Sequence, residues 1–223
     1  MNRVLVLVEG DTEISFVDYV LRPEFEAKGI FLTSALFRKK HKGSFGYQNC
    51  QKRILNTIKQ DSSVYVTTFV DYYNLPQNWP GRTESQTCQN YKDKAQRVEQ
   101  ALSEDIVAQI GDSWNPARFI PYVQMHEFEA LLFSDTSKLA ERAKKPEKIS
   151  VELERILQSF SCPEEINDNY DTCPSRRIEQ HIEDYVKTVD GIMVARAIGL
   201  EKMRQECPHF NEWITKLEGV GKQ

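Results

Sequence analysis

No stretch of this sequence approaches the ~20 apolar residues that a bilayer-crossing helix needs. Its most apolar opening run, Val4 to Val8, is cut short by Glu9, which is too early for the hydrophobic region of a secretory signal. Cysteine is sparse and uninformative. The five residues Cys50, Cys88, Cys162, Cys173 and Cys207 are odd in number, scattered, and never in CxxC spacing. That excludes a disulfide framework and a thiolate zinc site from the reading. These absences together predict a cytoplasmic protein with reduced thiols. Low complexity and internal repeats are missing too. One further absence is local: from Ala27 to Gln60 there is no Asp or Glu.

What fills that acid-free window is basic. Lys28, Arg38, Lys39, Lys40, Lys42, Lys52, Arg53 and Lys59 lie there, so the rest of the chain carries a net charge of −12 against −4 for the whole. Segregation of this kind suits a face that meets a polyanion, although RKKHKGS also reads as a solvated loop.

Short apolar runs alternate with helical spacing. Arg3–Val8, Ile30–Phe37, Val64–Val70 and Arg118–Val123 read as strands. Between them, Ile14, Val17 and Leu21, then Ile54, Leu55 and Ile58, then Tyr91, Ala95, Val98, Leu102 and Ile106 follow helical periods. The β-α-β-α-β-α-β order predicts an α/β fold, a parallel sheet of about four strands with helices on its faces. MHEFEALLFSD predicts a helix beginning near Glu127. After Asp135 strand signals stop. The expected division is an α/β domain over 1–135 and a helical C-terminal region over 136–223. That region holds an acidic linker, SCPEEINDNYDTCPS, and an amphipathic helix marked by Ile178, Ile182, Tyr185 and Val189.

In open parallel sheets ligands bind beyond the carboxyl ends of the strands. Glu9 ends the first predicted strand and Asp71 the third, while His126, Glu127 and Glu129 follow the fourth. Acids from separate segments gathered on one rim repel unless a cation lies between them. Oxygen ligands suit Mg²⁺ or Mn²⁺. Each residue also has a structural reading: Glu13 can answer the helix dipole, Asp71 can start a turn, Glu129 can be an exposed helix residue, and His126 can be a satisfied core imidazole. Glu9 is the hardest to dismiss, because a carboxylate at a buried strand end costs desolvation.

The stretches VEGDTE, FVDYYNLP, MHEFEALLFSD and CPSRRI, together with PHFNEWI in the helical tail, resemble a TOPRIM-like family of unknown function, the DUF4276 type. The TOPRIM fold occurs in topoisomerases, primases and OLD-family nucleases. Some members of the narrower group are AriB-like effector nucleases of phage-defence systems that act beside ABC-type ATPases. The resemblance implies a TOPRIM-like sheet with a C-terminal helical extension and metal-dependent hydrolysis of DNA or RNA. It implies Glu9, Glu13 and Asp71 as catalytic residues. Metal would be held by Glu9 and Asp71 with Glu127 and Glu129, where TOPRIM proteins use a second Asp that is Tyr73 here. An ATPase encoded nearby and a nucleic acid are the implied partners, and a homodimer is compatible with the pattern. Lys39, Lys40 and Lys42 would follow a phosphate backbone, and Arg176 and Arg177, after Pro174, would cradle phosphate at a helix start. Tyr72, Tyr73 and Trp79 are candidates for stacking on unpaired bases. The competing expectation is a catalytically weak module that docks on the ATPase, its acidic linker from Glu164 to Asp171 facing a basic partner. A receiver-like phosphate fold fits less well, since it needs a nucleophilic Asp at the end of the first strand, where this chain has Glu9, and a lysine late in the sheet, and no suitable one follows the fourth strand.

Overall fold

A computed structural model of the chain describes residues 2–37, 46–61, 63–111, 114–166 and 169–221. Lys39, Lys40 and Lys42 lie outside the described residues.

The strands are β1 (Asn2–Val8), β2 (Ile30–Leu36), β3 (Tyr65–Asp71), β4 (Phe119–Ile120) and β5 (Val123–Gln124), all parallel. Their order is β2-β1-β3-β4, with β5 continuing beside the end of β3. The register pairs Val4 with Leu32 on one side and Tyr65 on the other, and Asp71 with Gln124. This is the α/β architecture that the alternation of apolar runs predicts.

The period of two along each strand divides the core between the two faces of the sheet. Val4, Val6 and Val8 join Phe16, Phe69, Phe128, Phe210, Trp213 and Leu217 on one face. Leu7, Val66 and Val70 join Ile54, Trp79, Val98 and Leu102 on the other. The second face is covered by the helices Tyr47–Gln60 and Tyr91–Ile110. The first is covered by the helical segment from Asp11 to Glu26 and by the C-terminal helices, so residues from both ends of the chain share one core. Trp213 shows how firmly the tail is docked. Its ring stacks on Tyr122 at 4.3 Å and 8°, and its indole N–H donates to Thr67 Oγ1 at 2.8 Å. Burying a side chain of this size contributes ~3 kcal/mol or more.

Three elements differ from expectation. The predicted strand Arg118–Val123 is split into β4 and β5. Pro121 has no N–H to give, and the Thr68 hydroxyl takes over the ladder at Tyr122, donating to its carbonyl at 2.8 Å and accepting from its N–H at 2.9 Å. The helix expected near Glu127 is present and differs only in being of 3-10 form, Phe128–Ser134. The amphipathic helix expected to run on to Val189 stops at His181. Asp184 adopts a left-handed φ of 59°, and a π turn, Lys187–Gly191, leads into the helix Ile192–Ile198.

The acidic linker also departs from expectation. Glu164, assigned there to a partner-facing surface, is fully buried. Its two carboxylate oxygens accept from the N–H groups of His209 and Phe210 at 2.8 and 2.9 Å, capping the helix Pro208–Glu218.

Candidate active site at the carboxyl ends of the strands

β1 ends at Val8, and the chain turns through Glu9 and Gly10 into the helix Asp11–Phe16. Glu13, one turn in, does not point to solvent. It is buried, and its Oε2 would lie 3.0 Å from a Cβ placed on Gly10. Gly10 has ordinary extended dihedrals, so the glycine serves the space needed by the Glu13 carboxylate, not an unusual φ. The opening VEGDTE thus folds one acid back over the turn that carries another.

β3 delivers Asp71, buried, beside this turn. Its Oδ1 accepts from the Phe128 N–H at 3.0 Å, which fixes it to the segment that supplies Glu127 and Glu129. Phe16 meets Phe128 edge to face, with ring centroids 5.3 Å apart, and so holds the Glu13 helix against the same segment. His126 sits just before it with φ 61°, a left-handed conformation that is uncommon for a non-glycine residue, and its carbonyl accepts from Tyr73 N–H at 3.0 Å.

A cation completes the cluster from the far end of the chain. Lys187 Nζ lies 2.8 Å from Glu129 Oε2 and 3.5 Å from Asp71 Oδ2. About a third of its side chain (35 %) is exposed, whereas Glu129 is fully buried. Gly191 allows the approach: a Cβ there would meet the Tyr185 hydroxyl at 2.9 Å and the Phe128 ring at 3.3 Å. Sequence reasoning missed Lys187. It falls between Tyr185 and Val189 of the expected amphipathic helix and is not one of the apolar positions that marked it, and the signal that could have found it was the excess of acids at the strand ends.

The electrostatics are those of crowded acids. Burial pushes the Asp71 carboxyl well above the usual range. Lys187 opposes that shift, and the charges of Glu13, Glu9 and Glu129 add to it. Burial likewise pushes Glu129 up to about 7 against the pull of Lys187. Lys187 is held above its ordinary value: burial works against the ammonium, and Asp71 and Glu129 outweigh it. Asp71 and Glu129 therefore face one ammonium, with the charges of Glu13 and Glu9 close enough to act on Asp71. Glu129 Oε1 is buried without a hydrogen-bond partner, as is the Tyr185 hydroxyl.

The remaining predicted residues lie as follows. Glu127 Oε2 accepts from the Ser175 N–H at 3.0 Å, at the start of the helix Pro174–His181. The helix start expected to cradle phosphate therefore already holds a carboxylate. Arg176 donates to Glu179 and to the Tyr170 hydroxyl, each at 2.7 Å. Arg177 donates to the Thr172 carbonyl at 2.6 Å and lies over the Phe160 ring. Of the aromatic candidates, Tyr72 and Trp79 are core residues, and only Tyr73 is partly exposed.

Hard oxygen donors, an excess of negative charge and a buried oxygen with no partner fit a divalent ion in kind. Among the described residues no group of three or more His, Cys, Asp or Glu side chains stands in metal-holding geometry. Mg²⁺ is commonly held by one or two carboxylates with water and phosphate oxygens completing the shell, so the two statements are compatible.

The fold and the site define an α/β protein with a buried acid–lysine cluster at the carboxyl ends of a parallel sheet. The family described as a domain of unknown function, DUF4276, matches residues 8–218, and the chain belongs to it. No curated protein and no solved structure matches the chain. No helix among the described residues is long and apolar enough to cross a membrane.

Proposed function

We propose that the chain is a divalent-metal-dependent phosphodiesterase of TOPRIM type that cleaves DNA or RNA. In this reading it serves as the toxic effector of an anti-phage system beside an ABC-type ATPase. The observation that carries the chemistry is the meeting of Glu9, Glu13, Asp71 and Glu129 at one end of the sheet, four acids from three chain segments with a single lysine among them. The resemblance to TOPRIM effectors supplies the substrate class and the partner.

Asp71 and one further acid, Glu9 or, in place of the second Asp that Tyr73 replaces, Glu129, would hold Mg²⁺ or Mn²⁺, with water and phosphate oxygens completing the shell. A bound ion there neutralises charge on the phosphate and lowers the pKa of a water. The chain's own residues do the rest. The Phe128 N–H orients Asp71, and Gly10 leaves room for the Glu13 carboxylate. Lys187 is the one cation of the described site near enough to meet a phosphate oxygen.

Two features favour a second reading, a weakly catalytic module that docks on the ATPase: the loss of the second Asp at Tyr73, and the lysine already paired with Asp71 and Glu129. Co-expression with the neighbouring ATPase separates the two. Toxicity and nucleic-acid breakage that disappear with Glu9→Ala support the nuclease. A complex with the ATPase that forms equally with wild type and Glu9→Ala, without breakage in either, supports the module.

A further inference from the structure

Lys187 reaches the acid cluster on a short, irregular piece of chain. The left-handed Asp184 breaks the helix before it, and the π turn Lys187–Gly191 carries it. The neighbouring apolar side chains face outward: Val186 is 49 % exposed, Val189 54 % and Met193 51 %. The Tyr185 hydroxyl, packed against Gly191, has no hydrogen-bond partner. What secures the turn is Asp190, which accepts from Val186 N–H at 2.8 Å and pairs with Arg142. The ammonium itself bridges two acids from different segments, Asp71 on β3 and Glu129 on the 3-10 helix. These are two of the oxygen donors that a metal would use. Glu129 meanwhile keeps one buried oxygen unpaired.

We propose that Lys187 is a removable counter-ion: its ammonium and a divalent cation are alternative occupants of the same carboxylate cluster, and metal enters as the 185–191 segment carries Lys187 outward. The inference rests on the metal-dependent reading above and gives it a gate. The ammonium pairs with Asp71 and Glu129 and leaves Glu129 Oε1 without a donor, so the cluster keeps oxygens for a stronger cation. A divalent ion held by the same carboxylates would repel the ammonium, because like charges a few Å apart in a partly buried site interact strongly. π turns are frequent at functional sites, and this one hangs on Asp190, whose bonds to Val186 and Arg142 hold the turn while Lys187 itself, among the described residues, makes no backbone tie to the cluster.

The test is isothermal titration of Mn²⁺ into wild type and Lys187→Met, with folding of the variant checked by circular dichroism. Removing the competing ammonium is expected to tighten Mn²⁺ at least tenfold. In parallel, wild type is treated with an amine-acylating reagent with and without saturating Mn²⁺, and modification of Lys187 is read by mass spectrometry against exposed Lys144. Lys187 is expected to become several-fold more reactive when metal is bound. Equal, measurable Mn²⁺ affinities overturn the gate alone and leave the metal site standing. Lys187 reactivity that does not change as Mn²⁺ saturates overturns it too, and decides the matter if Lys187→Met fails to fold. Mn²⁺ that binds neither wild type nor a folded variant overturns the metal reading along with the gate.

Discussion

Two ionic clusters buried among the described residues are built differently. At the sheet edge, His209 lies between Glu99 and Glu164. Glu99 Oε1 accepts from His209 Nε2 at 2.9 Å and from the Val123 N–H at 3.0 Å, and Glu164 accepts from two backbone N–H groups. Tyr122 stacks on the imidazole at 5.0 Å. Both carboxylates there have backbone donors. At the strand ends, by contrast, Lys187 answers Asp71 and Glu129 only in part, and Glu129 keeps a buried oxygen without a donor. In the first cluster only His209 Nδ1, 3.8 Å from Glu164 Oε1, lacks a hydrogen-bond partner, so it is the more nearly satisfied network and specifies a fold, while the less satisfied one calls for another explanation. The first cluster pins the edge strand and the C-terminal helix. The second is the candidate for chemistry.

The largest effect that could break this contrast is on activity. Asp71→Asn or Glu9→Ala is expected to lower metal-dependent cleavage by at least about 100-fold, since the charge stabilisation lost amounts to several kcal/mol. Circular dichroism should show the fold retained. Next comes stability. His209→Ala leaves Glu99 and Glu164 buried without their cation and is expected to cost about 3–5 kcal/mol in urea unfolding, while the activity per folded molecule is kept. A loss of activity at full stability in this variant would erase the distinction between the clusters.

A pH series sharpens it. Burial alone pushes the His209 imidazole down, but Glu99 and Glu164 outweigh burial, and its folded value is raised. The stability contributed by His209⁺ is then whole below the unfolded value of about 6.5 and is lost as pH rises through the higher folded value. The difference in Tm between wild type and His209→Gln should be largest near pH 6 and shrink toward pH 9. A difference that grows with pH would contradict the pairing. The smallest effect on stability belongs to Gly10→Ala. The new Cβ meets only the movable end of Glu13, so unfolding should change by less than about 1 kcal/mol. Mn²⁺ affinity and cleavage should fall, because the Glu13 carboxylate is displaced.

How much of this was legible in the sequence follows from the range of the interactions. Apolar runs ended by an acid are local, so β1 with Glu9 and β3 with Asp71 could be read directly, and so could the helix Tyr91–Ile110 from its spacing. Lys187 could not. Its partners are on distant segments, and a helical period seen through Ile182, Tyr185 and Val189 hid the break at Asp184. Glu164 looked like linker charge because nothing local reveals that the helix at Pro208 will need its carboxylate. The split of the fourth strand turns on a Thr68 hydroxyl that replaces a backbone group, a substitution that β-propensity does not record. Pro121 was the one visible hint.

The central claim is that the acids at the strand ends form a divalent-cation site. Electron paramagnetic resonance of Mn²⁺ titrated into wild type and Asp71→Asn tests it most directly. Bound Mn²⁺ in wild type at micromolar to millimolar concentrations, weakened at least tenfold by Asp71→Asn, is the predicted result. Identical spectra and binding curves for the two proteins would contradict it.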